Sequence, residues 1–318
     1  KKALAQDIDE YAEEKLEAVH RENAPLALRC RVALAEARHE KERADIAEKE
    51  LGLYKVLDSA KIAPPTWMSP KAPSKGHHAI PSLVVGDVHW GEVVDPLQVE
   101  GMNKYNVAIA AQRVRRAFEG AVTMCRDYLA GVDYDGFTLL LPGDMVAGEL
   151  RADEDRATNE ATIAESVMGL VEPLEAGINL LVGEFGKVHV VGVPGNHSRK
   201  TLKPVAKNRA RDNFDTLAYR IVERDYRSNP KVTVQVSDAA DAPFTLYNTR
   251  FVLTHGDQFS GGSGISGALA PLLLGAHRKT RRAAASGRPY DSLVMGHFHQ
   301  SIWYPSKGLI VSGCVVGY

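Results

Sequence analysis

What most constrains the fold of this chain is a set of short aliphatic and β-branched runs, each closed by glycine or a polar residue. They are 82–85 before Gly86, 137–141 before Gly143, 187–193 before Gly195, 250–254 before His255, 292–295 before Gly296 and 308–312 before Gly313. Runs this short and this apolar read as buried strands, and the longer helix-like stretches between them predict a layered α/β domain of mixed β-sheets flanked by helices. The pieces 231–237 and 242–254 have no helix between them. They are expected to lie side by side as antiparallel strands.

Residues 1–57 have a different character: both charge signs are interspersed, glycine is almost absent, and Ala, Leu, Glu, Lys and Arg dominate. That is helix composition. Leu4, Ile8 and Tyr11, then Leu16 and Val19, fall on one stripe at spacings of three and four, and so narrow a seam suits a coiled coil or a helical hairpin docked on a partner. Residues 58–80, with Pro64–Pro65, Pro70 and Pro73, read as an extended linker, which leaves 81–318 as a separate, larger domain. Net charge is -1 with a pI near 6.9, so no global field draws the molecule to nucleic acid or lipid. The three cysteines, Cys30, Cys125 and Cys314, fit neither a disulfide framework nor a zinc knuckle. With no unbroken apolar run near the roughly 18 residues that mark a spanning helix, and an N-terminus charged too early for a signal peptide, a cytoplasmic protein with no membrane partner is expected.

Chemistry gathers where the strand-like runs end. Asp87 and His89 follow the first, Asp144 the second, Asn196 and His197 the third, His255 the fourth, and His297 and His299 the fifth. A single Asp or His after a strand usually serves a turn or a local hydrogen bond. A whole ordered series of them does not, because the carboxyl edge of a sheet is where ligand groups converge and adjacent glycines let backbones approach closely. Asp, Asn and His without cysteine form a ligand set for Mn, Fe or Zn, and the total suits two metals.

The order DxH, GD, GNH, H and GHxH over residues 81–313 resembles the calcineurin-like metallophosphoesterases. Carried over residue by residue, the resemblance implies one metal on Asp87, His89, Asp144 and His299, and a second on Asp144, Asn196, His255 and His297. Asp144 would bridge the two divalent ions, with Mn2+ favoured over Fe or Zn. It further implies a layered metallophosphoesterase sandwich and in-line attack on phosphorus by a metal-bridging hydroxide. His197 would assist the leaving group without ligating metal. Two positions depart from the family pattern: Val146-Ala147-Gly148 follows the GDM motif where a second Asp is common, and Ser198 stands where Asp or Glu usually follows GNH. The missing acid leaves open what orients His197. The stretch 91–106 is also similar to a branch of the family found in bacteriophage genomes.

After the GNH motif comes the densest basic run in the chain, including Arg199, Lys203, Lys207 and Arg209. Such a run beside catalytic loops matches a polyanion, and Arg199 is close enough to the motif to grip a phosphate. Hydrolysis of a nucleic-acid phosphodiester, as a nuclease or end-processing enzyme, is therefore the expected activity. Phosphomonoester hydrolysis on protein or small molecules is the alternative, and a non-catalytic binding scaffold the more distant one.

The seam of residues 1–57 is too narrow to stabilise an isolated helix. The arm is therefore expected to mediate self-association or partner docking. Light scattering on the full chain and on a version beginning near Ser74 should return different oligomeric states; two monomers of proportionate mass would leave only docking on another protein.

Overall fold

The computed structural model describes residues 65–68, 77–129, 131–150, 158–205, 207–259 and 269–317. The expected arm at 1–57, with its coiled-coil seam, lies outside them, as does much of 58–80. The parts of 58–80 that are described, where an extended linker was expected, are packed into the domain. Met68 is buried at the end of a 3-10 turn, Thr66–Met68, and its carbonyl accepts a hydrogen bond from the Tyr247 N–H at 2.8 Å. Strand β1 (His78–Ala79) pairs in parallel with β3 (Asp133–Tyr134).

Two larger sheets make up the centre. The first is all parallel, in the order β2 (Ser82–Val84), β4 (Phe137–Leu141), β5 (Val188–Gly192) and β6 (Val232–Val236). The second is mixed, in the order β10 (Ile302–Tyr304), β11 (Leu309–Val311), β9 (Ser292–Met295), β8 (Thr249–Thr254) and β7 (Asp241–Leu246). Its inner strands β8, β9 and β11 run parallel, while the outer strands β7 and β10 pair antiparallel. The expected pairing of 231–237 with 242–254 does not form. Strand β6 instead closes the parallel sheet beside β5, and the chain crosses to the other sheet before β7. A short connection without a helix had suggested a hairpin, but here it links two layers.

Side-chain alternation, with its period of two, sorts the strands into layers. Leu139, Leu141 and Val190 face a core shared with helices α1 (Val107–Thr123), α2 (Ile163–Phe185) and α3 (Phe214–Asp225). Leu140 and Val191 point the other way and meet Ala242, Phe244, Leu253 and Val294 of the second sheet. Leu293, Met295, Leu309 and Val311 then face outward against Leu272 of helix α4 (Leu269–Ala285). The result is a four-layer sandwich of helices, sheet, sheet and helix. Side-chain caps start the first three helices: Asn106 accepts from the Ile109 N–H, Thr162 and Glu165 form a capping box, and Asn213 accepts from Asp215 and Thr216. Each such cap contributes about 1 kcal/mol. Helix α2 is long and apolar enough in composition to cross a membrane. In this fold Leu170, Leu174, Ile178 and Leu181 bury one face of it in the domain core.

His189, on β5, is 1% exposed and shares the inter-sheet side of its strand with Val191. Burial lowers its pKa from 6.5 to about 4, with Gln235 opposing the shift. The unfolded chain therefore takes up this proton first. The contribution is fully present above pH 6.5 and is lost as pH falls from there towards 4, by about 3 kcal/mol. His189→Gln should remove that part of the acid sensitivity. Denaturant melts of both proteins at pH 7 and pH 4.5 measure it, and equal losses of stability would mean that His189 takes no part.

Candidate metal centre

Both sheets turn their strand ends towards the same place. Asp87 and His89 follow β2, Asp144 follows β4, and Asn196 and His197 follow β5; His255 follows β8, and His297 and His299 follow β9. Five of these eight residues adopt left-handed backbone conformations: Asp87 (φ 49°), His89 (φ 50°), Asp144 (φ 50°), His297 (φ 69°) and His299 (φ 53°). Non-glycine residues pay for that conformation, by roughly 1 kcal/mol or more each. Such strain persists only where surrounding structure holds it, and it turns these side chains inward past their strand ends. The neighbouring glycines are required by space. A Cβ on Gly195 would collide with the Asp144 backbone and carboxylate, and one on Gly296 would strike the Asp87 carboxylate.

The side chains fall into overlapping clusters. Ligand atoms of Asp87, His89 and His299 lie within 4.8 Å of one another, as do those of Asp144, His255 and His297. Asp144 also groups with His89 and His197 at the same limit. Asp144 thus stands between the two clusters, as a bridging ligand must. His255 Nε2 sits 3.0 Å from Asp144 Oδ2 and 2.9 Å from Asn196 Oδ1, so three members of the second expected set converge on a single point. In the first set, His299 Nε2 is 3.5 Å from Asp87 Oδ1. His89 Nε2 is buried with no hydrogen-bond partner among the described residues, a state that costs stability unless something else satisfies the nitrogen. The residues present fit two divalent cations in donor type, in number and in this unsatisfied nitrogen.

The electrostatics agree. Burial on its own would raise the Asp144 carboxyl, but His255, His197 and His89 hold it far below the usual carboxylate range. Burial likewise disfavours a charged His255, yet Asp144 and Asp87 raise its pKa overall, and Glu92, Asp144 and Asp87 do the same for His89. Fixed negative charge in this pocket favours a cation. His197 stands at the edge, its ring 4.6 Å from that of His89, and its backbone N–H donates to Asp144 Oδ1 at 2.7 Å. Burial lowers the pKa of His197 while Asp144 pulls against it.

Supporting groups complete the centre, and sequence reasoning missed them. Glu92 Oε2 lies 3.1 Å from His89 Nδ1, and the Pro142 carbonyl lies 2.9 Å from His255 Nδ1. The Pro142 carbonyl occupies Nδ1 of His255 and leaves Nε2 directed at the cluster, the usual way a ligating imidazole is oriented, and Glu92 stands as a charged neighbour of the His89 ring. The Val315 and Val316 N–H groups reach the Asp87 carbonyl at 3.1 and 3.3 Å, so the C-terminal bend after β11 braces the first motif. Asp215, completely buried, accepts from backbone N–H groups of both the GD and GNH loops. Local signals give only hints: Glu92 is three residues past His89, and Asn213-x-Asp215 reads as a helix start.

The basic run is placed alongside but is partly occupied. Arg199 spends Nε on the Thr201 carbonyl and Nη2 on the Leu202 carbonyl, both at 2.9 Å, and Nη1 on the Asn196 carbonyl. Arg209 pairs with Asp257 at 2.5 Å, while Lys203 and Lys207 are exposed. Gly195, Asn196, Arg199, Lys200, Arg209 and Asp257 help to line a small, solvent-open cleft beside the metal-ligand candidates.

No family model matches the chain, and no curated protein matches it. Among solved structures, a dimetal phosphatase from Danio rerio is 12% identical, with 74% of this chain and 88% of that one covered at a TM-score of 0.37. A predicted phosphoesterase from Streptococcus pneumoniae is 16% identical over 73% and 71% of the two chains, at 0.27. Vacuolar protein sorting 29 from Cryptosporidium parvum is 13% identical over 73% of each chain, at 0.29. Likeness at this level decides nothing about the site, whose chemistry rests on its own residues.

Proposed function

We propose that this chain is a two-metal phosphoesterase of the calcineurin-like kind, acting on phosphodiesters and in particular on nucleic acid. The observation that carries this reading is the convergence of two Asp/His clusters on a shared Asp144 at the carboxyl edges of both sheets. Divalent cations held there, with Mn2+ favoured, would supply Lewis acidity towards phosphoryl oxygens and a low pKa to coordinated water. Asp87, His89, Asp144 and His299 would hold one, and Asp144, Asn196, His255 and His297 the other.

The chain's own residues do the rest. The Pro142 carbonyl fixes the tautomer of His255, and Glu92 holds negative charge beside His89. Each Nη of Arg199 keeps a second N–H beyond its loop contact, available to a phosphate oxygen. The exposed Lys203 and Lys207 would follow a polyanion away from the centre, and Arg209 would join them by exchanging Asp257 for a phosphate. His197 would give a proton to the leaving oxygen. A neighbouring phosphate would favour the protonated ring that burial disfavours. A second reading, phosphomonoester hydrolysis, is favoured by one observation: Arg199 and Arg209, the arginines beside Asn196, are already partnered.

The deciding assay supplies Mn2+ with a chromogenic diester, the matching monoester, and labelled single- and double-stranded DNA. Cleavage of the diester and of DNA is expected. Turnover of the monoester alone would replace the reading with the second one, and metal uptake with no turnover would indicate a binding scaffold.

His197→Ala should keep bound metal while turnover of an alkoxide-leaving diester falls by roughly two to four orders of magnitude, the worth of a positioned general acid. Nitrophenolate, which needs no proton, should suffer much less. Equal losses with both leaving groups would exclude proton donation by His197.

A further inference from the structure

We infer that Asp215 is the positioning residue that sets the spacing of the Asp144 and Asn196 loops; the inference rests on the two-cation reading above. Asp215 is 0% exposed and lies in the first turn of α3, two residues after its cap Asn213. Its carboxylate faces back out of the helix towards the strand ends. Oδ2 accepts from the Asp144 N–H and from the Gly195 N–H, each at 2.9 Å. Oδ1 accepts from the Met145 N–H at 3.0 Å and from the Ser198 hydroxyl. One oxygen atom is therefore shared by the backbone of the bridging carboxylate and the backbone just before Asn196.

Its neighbours pull the same way. Asn213 Nδ2 donates to the Gly195 carbonyl at 3.0 Å, and the Phe214 N–H donates to the Ser198 carbonyl at 2.9 Å. The start of α3 is thus fastened to the GNH loop, and its carboxylate reaches across to the GD loop. Burial and the nearby Asp144 raise the Asp215 carboxyl to about 6, and these donors offset only part of that cost of burying a charge. They also explain why a carboxylate is needed. An amide at this position would turn an NH2 group towards N–H donors on one side, and a methyl would leave them all unpaired.

A residue that merely stabilised the fold would lower melting temperature without preference between cations. A positioning residue weakens one site more than the other. Asp144 and Asn196 both serve the second expected set, so loosening their spacing should affect that site first. The test is calorimetric titration of metal-stripped full-length protein with MnCl2, for the wild type, Asp215→Asn and Ser198→Ala, with circular dichroism and melting in EDTA to verify the fold.

Folded Asp215→Asn should keep one Mn2+ step near its wild-type affinity and lose roughly 10- to 100-fold in the other, the usual effect of removing a group that orients a ligand. Ser198→Ala should show the same asymmetry, smaller in size. Folded Asp215→Asn with both steps unchanged, or with both weakened equally, overturns the assignment. If Asp215→Asn does not fold, Ser198→Ala decides alone: asymmetric weakening supports the assignment and two wild-type steps overturn it. Wild-type protein that takes up no Mn2+ would instead remove the two-cation reading on which this rests.

Discussion

Three carboxylates, Asp87, Asp144 and Asp215, are each buried to 1% exposure or less at the same edge of the molecule. Placing so much negative charge out of water is the physical fact the rest of the structure accommodates. Each is handled differently. Asp87 accepts from the His297 N–H through both oxygens, at 3.1 and 2.9 Å. Asp144 is surrounded by imidazoles, and Asp215 by backbone donors. The first two fall in the Asp/His clusters that could hold a cation, and these are the ones a metal would neutralise.

The electrostatics also fix where each strand must end. Glycines at 195 and 296 exist because carboxylates occupy the space a Cβ would take, and left-handed backbones at five candidate ligands turn their side chains into one pocket. Arg113 contributes from a distance, donating to the Val315 and Val316 carbonyls at 2.8 and 2.7 Å and so holding the segment that braces Asp87. Function and stability are not separable in such a site, since the same hydrogen bonds serve both.

The strand ends and their residues were legible in the sequence because buried parallel strands leave an unbroken local signature, and glycine beside Asp or His marks a backbone that must turn. Asp215, Glu92 and the Pro142 carbonyl were not, because their partners lie across the fold and no periodicity connects them. The same limit explains β6. Its composition identifies a strand, but nothing local says which sheet receives it, and a four-residue connection can span two layers as readily as it can make a hairpin. Charge in the basic run was visible; its occupation by Asp257 and by loop carbonyls was not.

Asp87, Asp144 and Asn196 belong to one sheet, and His255, His297 and His299 to the other. The two are otherwise joined face to face by apolar contacts such as Leu140 and Val191 against Phe244 and Leu253. A cation shared across that seam would act as a cross-link that exists only while both halves are folded together. Amide exchange in β5 and β8 would then report on metal occupancy even though neither strand supplies a ligand from within its own length. Removing the ion would be felt first as a parting of layers.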